Sequence, residues 1–391
     1  MATSTISSND RVAFIGLGAM GYPMATNLQK YLAVNQFPNL LVYNCTYSKA
    51  QSLAESVGVI ATQSLQDVAE QANIIFTCLL NDQAVSSIYK ELLKCSDPRK
   101  FNNINNRSVI FIDCSTISPH VINEVKNEVE KIENRFLLAC PVWGPPAKAQ
   151  KAELVVITSG KQSIIDKIMH LLIPVLGKKA IPIGEDVTKA AKYKLVGNFF
   201  VGGIIEMLSE GLTFADKNDI SRDKMMEFFE EFSSDAVIKG YGKRMVNDTF
   251  TIDIGFSVNN AMKDVRLMRN LADDSQAQLP IADLLFQHLL TSKANGGQHY
   301  DCSSAVGALR LDYNYLKIGD QLCHPHYLSI VVPNRGNDKK RRSGDFGEIF
   351  IVDDDDSTES KLSHILENSS DNVEENFDYW SDININNHKD K

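Results

Sequence analysis

Val12-Ala13-Phe14-Ile15-Gly16-Leu17-Gly18-Ala19-Met20-Gly21 decides the fold. Four apolar residues form a short strand, the strand ends in Gly-x-Gly-x-x-Gly, and Tyr22 to Leu28 then reads as a helix. A strand that turns sharply into a helix is the arrangement a dinucleotide pyrophosphate requires. Gly16 permits the tight turn, Gly18 lets the backbone approach a phosphate, and Gly21 lets the helix pack on the strand. Leu17, Ala19 and Met20 share that loop and are expected to contact the cofactor with it. The first-turn N–H groups and the positive end of the helix dipole then face the phosphates.

Outward from this stretch, short β-branched strands alternate with helical segments. Strand candidates are 11–15, 40–43, 74–77, 109–113, 136–140, 154–159 and 179–182. Such alternation predicts a mostly parallel, doubly wound sheet with helices on both faces. Gly16, Asn44, Leu79, Ser115 and Val142 fall just past strand ends, where the crevice of such a sheet lies. After Gly184 the pattern changes. Asp186 is placed to cap a helix running to about Asp216, roughly 45 Å at 1.5 Å per residue. Helical segments follow at 222–232, 258–271 and 281–292. The expected organisation is a flexible N-terminus (1–10), a dinucleotide-binding domain (11–183), an all-helical domain (184–316) and a polar, acidic, mostly disordered tail (317–391).

The formal charge of −9 belongs mainly to that tail. Residues 331–391 hold 8 Lys and Arg against 15 Asp and Glu, which leaves 32 against 34 in the rest. A nearly neutral body argues against a nucleic-acid surface. The seven cysteines are scattered without a CxxC pair or a Cys/His cluster, so buried free thiols in a reducing compartment are expected and no metal site. The polar start lacks the features of a secretory signal or a mitochondrial presequence. No run approaches the length of a membrane span. These features predict a cytoplasmic protein. The basic run Lys339-Lys340-Arg341-Arg342 reads first as a solvated charge run, with a nuclear import signal as the alternative.

Lys194 and Asn198, four apart, share one helix face. There an ammonium could protonate a carbonyl oxygen, and a neutral amine could take the proton back if burial lowered its pKa. Asn198 could hold the same oxygen or the lysine. A surface lysine on an amphipathic helix is the alternative, and Lys189 and Lys192 read that way. Ser115 and Thr116 offer hydroxyls at a strand-to-helix turn, a setting suited to a carboxylate, while Thr116 or Ser118 could equally cap the next helix. The second strand ends in Tyr43-Asn44-Cys45-Thr46-Tyr47-Ser48-Lys49 with no acidic residue to hold a ribose 2′-hydroxyl. Asn44, Thr46 and Lys49 remain as donors, which favours NADP over NAD.

Four blocks in order resemble the β-hydroxyacid dehydrogenase family, the group of 3-hydroxyisobutyrate, tartronate-semialdehyde and glyoxylate/succinic-semialdehyde reductases. Gly16–Leu28 is similar to the family's GLGxMGxxMxxNL, Asp113–Pro119 to its DxSTxxP, and Lys194–Asn198 to its KxxxN segment. Phe256 through Lys263-Asp264, with Asp301-Cys302-Ser303, resembles its C-terminal helices. The resemblance spans about 11–314. It implies that Lys194 is the general acid/base with Asn198, that Ser115 binds the substrate acid group, and that Leu79, Leu80, Thr116 and Lys263 line the cofactor. It implies a small carbonyl or hydroxyacid substrate and is compatible with a homo-oligomer.

The chain departs from the family pattern at Pro141-Val142-Trp143-Gly144-Pro145-Pro146-Ala147. Trp143 stands where the family's PVSGG has Ser, and Pro145 has no N–H to donate. Trp143 and Gly144 are expected to line the substrate pocket, with the indole changing what fits. Thr188 and Ala190 occupy positions that are usually Gly, and Cys45 replaces an Arg of the NADP-preferring branch. A dinucleotide-binding sensor or scaffold without turnover is the rival reading, against which Lys194 and Asn198 weigh. 6-Phosphogluconate dehydrogenase itself does not fit, because Gly197 stands where its motif has His.

Overall fold

The computed structural model describes residues 10–95 and 108–310, together with four short strands beyond them. The chain divides into two compact units, Met1–Tyr315 and Leu316–Lys391. The expected dinucleotide-binding and helical domains therefore belong to one unit.

The N-terminal half runs β1 (Val12–Ile15), α1 (Gly21–Val34), β2 (Leu41–Tyr43), α2 (Tyr47–Val57), β3 (Ile60–Thr62), α3 (Leu65–Gln71), β4 (Ile74–Thr77), α4 (Asp82–Cys95), β5 (Val109–Asp113), α5 (Pro119–Glu130) and β6 (Arg135–Ala139). These six strands form one sheet in the order β3-β2-β1-β4-β5-β6, every neighbouring pair parallel. The order reverses direction between β1 and β4, so the crevice opens beyond Ile15 and Thr77. Alternate residues of each strand feed two cores. Phe14, Phe76 and Ile112 pack with Met24 and Leu28 of α1 and Leu53 of α2. Ala13, Ile75 and Phe111 pack with Tyr89 of α4 and Val125 of α5 on the opposite face. Burial on both faces is why these strands read as continuous apolar runs.

A second sheet of three strands, β7-β8-β9, follows. Its members are β7 (Val142–Trp143), β8 (Leu154–Thr158) and β9 (Gly177–Pro182), joined by α6 (Pro146–Gln150) and α7 (Gln162–Leu172). Strand β7 pairs antiparallel with β8, and a reciprocal bridge between Ala139 and Ser159 links the two sheets. The mostly parallel, doubly wound sheet expected is the six-stranded one, and the strand candidates 154–159 and 179–182 fall in the second sheet.

Asp186 caps α8 (Val187–Lys217) by accepting from the Thr188 N–H. It is followed by α9 (Arg222–Phe232), α10 (Ala236–Val246), α11 (Val258–Ser275), α12 (Pro280–Ala294) and α13 (Ala305–Arg310). Ile205, Leu208 and Leu212 of α8 pack in one core with Met245, Val265, Leu285, Phe286 and Val306. Contrary to the expectation that no run reaches membrane-span length, α8 is long and apolar enough by length and composition, with a mean hydropathy of 1.3 over its best window. Its buried face packs on these neighbours, as the central helix of a globular core does. Its other face leaves Val196, Phe200, Met207 and Phe214 exposed.

In the second unit β10 (Lys317–Ile318) pairs with β11 (Gln321–Leu322), and β12 (Ser329–Val331) with β13 (Ile349–Ile351), both antiparallel. The rest of the segment expected to be mostly disordered lies outside the described residues. The start of the chain (1–9) and the basic run at 339–342 lie outside the described residues. Among the described cysteines Cys95, Cys114, Cys140 and Cys302 are buried free thiols, as expected, and Cys45 is exposed.

Candidate active site

The glycine loop is closed behind and open in front. Gly16 has φ +96°, and a Cβ there would lie 2.3 Å from the Cys78 carbonyl oxygen. A Cβ on Gly21 would lie 1.9 Å from the Gly16 carbonyl oxygen, which makes helix α1 pack directly on its own turn. Gly18, by contrast, is exposed and has no atom within 4 Å of an added Cβ. No side chain caps the N-terminus of α1 and no acidic residue stands in its first turn. A helix start with no side-chain cap and no acid, beside a glycine that has open space around it, fits a pyrophosphate. Asn44 braces this loop. Its Oδ1 accepts from the Leu17 N–H at 2.8 Å and its Nδ2 donates to the Thr46 carbonyl at 3.0 Å. The Asn44 amide, expected as a cofactor donor, gives one of its two N–H to backbone, and Cys45, Thr46 and Lys49 are exposed at the end of β2.

Between β4 and β5 the polar groups converge on Asp113, which is 2% exposed. Its Oδ2 accepts from Thr77 Oγ1 at 2.6 Å and from Ser115 Oγ at 3.2 Å, and its Oδ1 accepts from the Ser115 N–H at 3.0 Å. Burial raises the Asp113 carboxyl to about 6 against the opposing pull of these donors. Ser115 Oγ also accepts from the Leu79 N–H at 2.9 Å, tying the loop after β4 to the loop after β5. Leu80 is exposed.

Lys194 is the centre of the second cluster. It is 7% exposed, and its Nζ donates to Asn198 Oδ1 at 2.9 Å, one helical turn on. Asn198 Nδ2 donates to Asp264 Oδ2 at 2.6 Å. The other oxygen of Asp264 faces the Lys263 ammonium at 2.8 Å, and Lys263 donates to the Thr116 carbonyl at 2.5 Å. One chain of contacts therefore runs from α8 through α11 to the loop after β5. Burial lowers the Lys194 ammonium from 10.5 to about 8, with Asp264 opposing the shift and Lys263 adding to it. A lysine held there can both give and take a proton near neutral pH. Lys189 and Lys192 are exposed, as expected.

Trp143, at the end of β7, closes this cluster. Its Nε1 donates to Asn198 Oδ1 at 3.2 Å, and the Lys194 ammonium lies 5.6 Å from the ring centroid. The indole meets Tyr193 edge-on, with centroids 5.2 Å apart. A Cβ on Gly197 would lie 2.1 Å from Trp143 Cζ2, so the ring occupies the space a side chain would take on α8. Gly144 has φ +135° and is exposed.

The structure thus brings together Lys194, Asn198, Trp143, Thr116 and Lys263 in one network, and Gly16, Leu17 and Asn44 in another, with Ser115 bonded to Leu79. Sequence reasoning missed Asp264 as the joint of the first network and Gly197 as the seat of the indole. The Lys263-Asp264 pair was visible as a block, but its meeting with Asn198 is made by tertiary packing of α11 on α8.

Two family models match consecutively. One, the NAD binding domain of 6-phosphogluconate dehydrogenase, covers residues 11–184. The other, NAD-binding of NADP-dependent 3-hydroxyisobutyrate dehydrogenase, covers residues 188–309. An NADH-dependent oxidoreductase of Aspergillus ustus is 28% identical over 298 residues, 75% of this chain and 96% of that protein. Glyoxylate/succinic semialdehyde reductase 1 of Arabidopsis thaliana is 25% identical over 304 residues, 76% and 98% of the two chains. The structure of a 3-hydroxyisobutyrate dehydrogenase of Mycobacterium tuberculosis with L-serine superposes with a TM-score of 0.65 at 23% identity, covering 77% of this chain and 99% of the other, and shows the shared fold. With a dinucleotide loop followed by the helical domain that such enzymes carry, the chain belongs to the β-hydroxyacid dehydrogenase family of NAD(P)-dependent oxidoreductases.

Proposed function

We propose that the protein is an NADP-dependent oxidoreductase that interconverts a small carbonyl compound and its alcohol or hydroxyacid, with Lys194 as general acid/base. When bound, the nicotinamide supplies or takes up the hydride. In reduction the Lys194 ammonium gives its proton to the carbonyl oxygen as carbon accepts the hydride, and in oxidation the neutral amine takes the proton from the alcohol. Asn198 orients Lys194 and is itself fixed by Asp264. Gly16, Leu17, Gly18, Ala19, Met20 and Gly21 would hold the pyrophosphate, and Leu79, Leu80, Thr116 and Lys263 would flank the nicotinamide half. The observation that carries this reading is the buried Lys194–Asn198–Asp264 chain, with its lysine held at about 8.

The absence of an acid at the end of β2 supports NADP, since no carboxylate there would repel a 2′-phosphate. The exposed stripe Val196, Phe200, Met207 and Phe214 on α8 supports a homo-oligomer. A soluble, cytoplasmic setting with a small-molecule substrate accords with the neutral body. The test is twofold. NADPH should bind more tightly than NADH when titrated by quenching of protein fluorescence. A panel of small aldehydes, keto acids and ketones should include compounds that drive NADPH oxidation. Tighter NADH binding defeats the cofactor assignment, and NADPH binding without turnover on any member favours a non-catalytic binding protein.

A further inference from the structure

We propose that Trp143, seated on Gly197, sets the specificity of this site for an uncharged carbonyl substrate over one that carries a carboxylate. The inference rests on the oxidoreductase reading and deepens it.

A carboxylate needs hydrogen-bond donors, and Ser115 and Pro145 offer none. The Ser115 N–H and hydroxyl both go to Asp113, and the hydroxyl oxygen already accepts from Leu79. A hydroxyl has one proton, so Ser115 keeps acceptor capacity and no free donor. Above about pH 6 the Asp113 carboxyl behind it is ionised, and a second anion in front of Ser115 would be repelled. Pro145 supplies no N–H on the facing loop. Lys263 gives one of its three N–H to the Thr116 carbonyl and is paired with Asp264. Lys194 gives one N–H to Asn198 and supplies the proton that the reaction uses.

At position 143 the site has an aromatic wall instead of a small polar side chain. The indole stacks edge-on with Tyr193, fills the space above Gly197, and spends its only donor on Asn198. Such a wall favours an apolar flank beside the carbonyl. Residues 143 and 197 are complementary: the ring fits because position 197 has no side chain.

The experiment compares two probes that differ in charge, methyl 4-oxobutanoate and 4-oxobutanoate, as substrates with NADPH. Wild type should favour the ester by at least about tenfold in kcat/KM, since an anion that finds no donor at Ser115 or Pro145 loses at least one strong hydrogen bond. Trp143→Phe should keep that preference, and Trp143→Ser should narrow it at least about threefold. Preference for the acid in wild type, or an unchanged ratio in Trp143→Ser, overturns the proposal. Binding of dimethyl succinate and monomethyl succinate to the protein with NADP+, followed by calorimetry, reads the same discrimination without turnover. Tighter binding of the charged ester, or no binding of either, overturns the proposal too. Tighter binding of the neutral ester with no carbonyl reduced would uphold this inference for the pocket and defeat the catalytic reading instead.

Discussion

If Lys194 is the proton donor, the pH dependence of turnover reports its burial directly. The perturbation is pH alone, which leaves the fold and the cofactor loop untouched. With the ammonium at about 8, roughly nine-tenths of the lysine is charged at pH 7 and roughly one-tenth at pH 9. The kcat/KM for carbonyl reduction should therefore fall about tenfold between those values. Alcohol oxidation, which needs the neutral amine, should rise by a similar factor. A lysine at its ordinary 10.5 would leave reduction nearly flat over the same interval. The assay is NADPH absorbance at subsaturating substrate, with buffers matched in ionic strength. Asp264→Asn removes the carboxylate that favours the charged lysine, so the midpoint should move to lower pH in that variant. Reduction that stays flat to pH 9, or a midpoint shifted upward in Asp264→Asn, would refute the assignment of the titration to Lys194.

Three further outcomes follow from the geometry. Gly18→Ala, with open space around its Cβ, should keep the wild-type melting temperature yet lose most NADPH affinity, whereas Gly21→Ala should destabilise the fold itself; calorimetry with and without cofactor separates the two. Cys45→Arg, at an exposed position past β2, should widen the preference for NADPH over NADH by about 1–3 kcal/mol in fluorescence titrations. Truncation after Tyr315 should leave NADPH affinity unchanged, because every residue assigned to the site lies in the first unit; a drop of many-fold would show that the acidic segment takes part in the site.

The elements legible in the sequence are those whose signal is local. The seven strand candidates are all strands; those of the six-stranded sheet are apolar runs buried on two faces, whereas Gly177–Pro182 is mostly exposed or half-buried. Ile60–Thr62 and Val142–Trp143 were missed, being too short to show a period. Helix α10 was hidden by Gly240 and Gly242, though Asp235, which accepts from the Val237 and Ile238 N–H groups, is a cap signal just before it. In the site, Lys194 and Asn198 were readable because the two positions share a helix face. Asp264 and Gly197 were not, since one acts across two helices and the other through the side chain it lacks. Asp113 was visible only as the start of a motif; its bond from Thr77 appears once β4 and β5 lie side by side.

The central claim is that Lys194 performs the proton transfer while the glycine loop holds the cofactor. The most direct test is kcat for Lys194→Ala and Lys192→Ala on the best carbonyl of the panel, with NADPH affinity measured for each. Lys194→Ala should lose about 10²–10⁴-fold in kcat at nearly unchanged NADPH affinity, the usual contribution of a general acid. Lys192→Ala, exposed and turned about 200° around the same helix, should stay close to wild type. Retention of wild-type kcat by Lys194→Ala, or equal losses from both variants, would contradict the account.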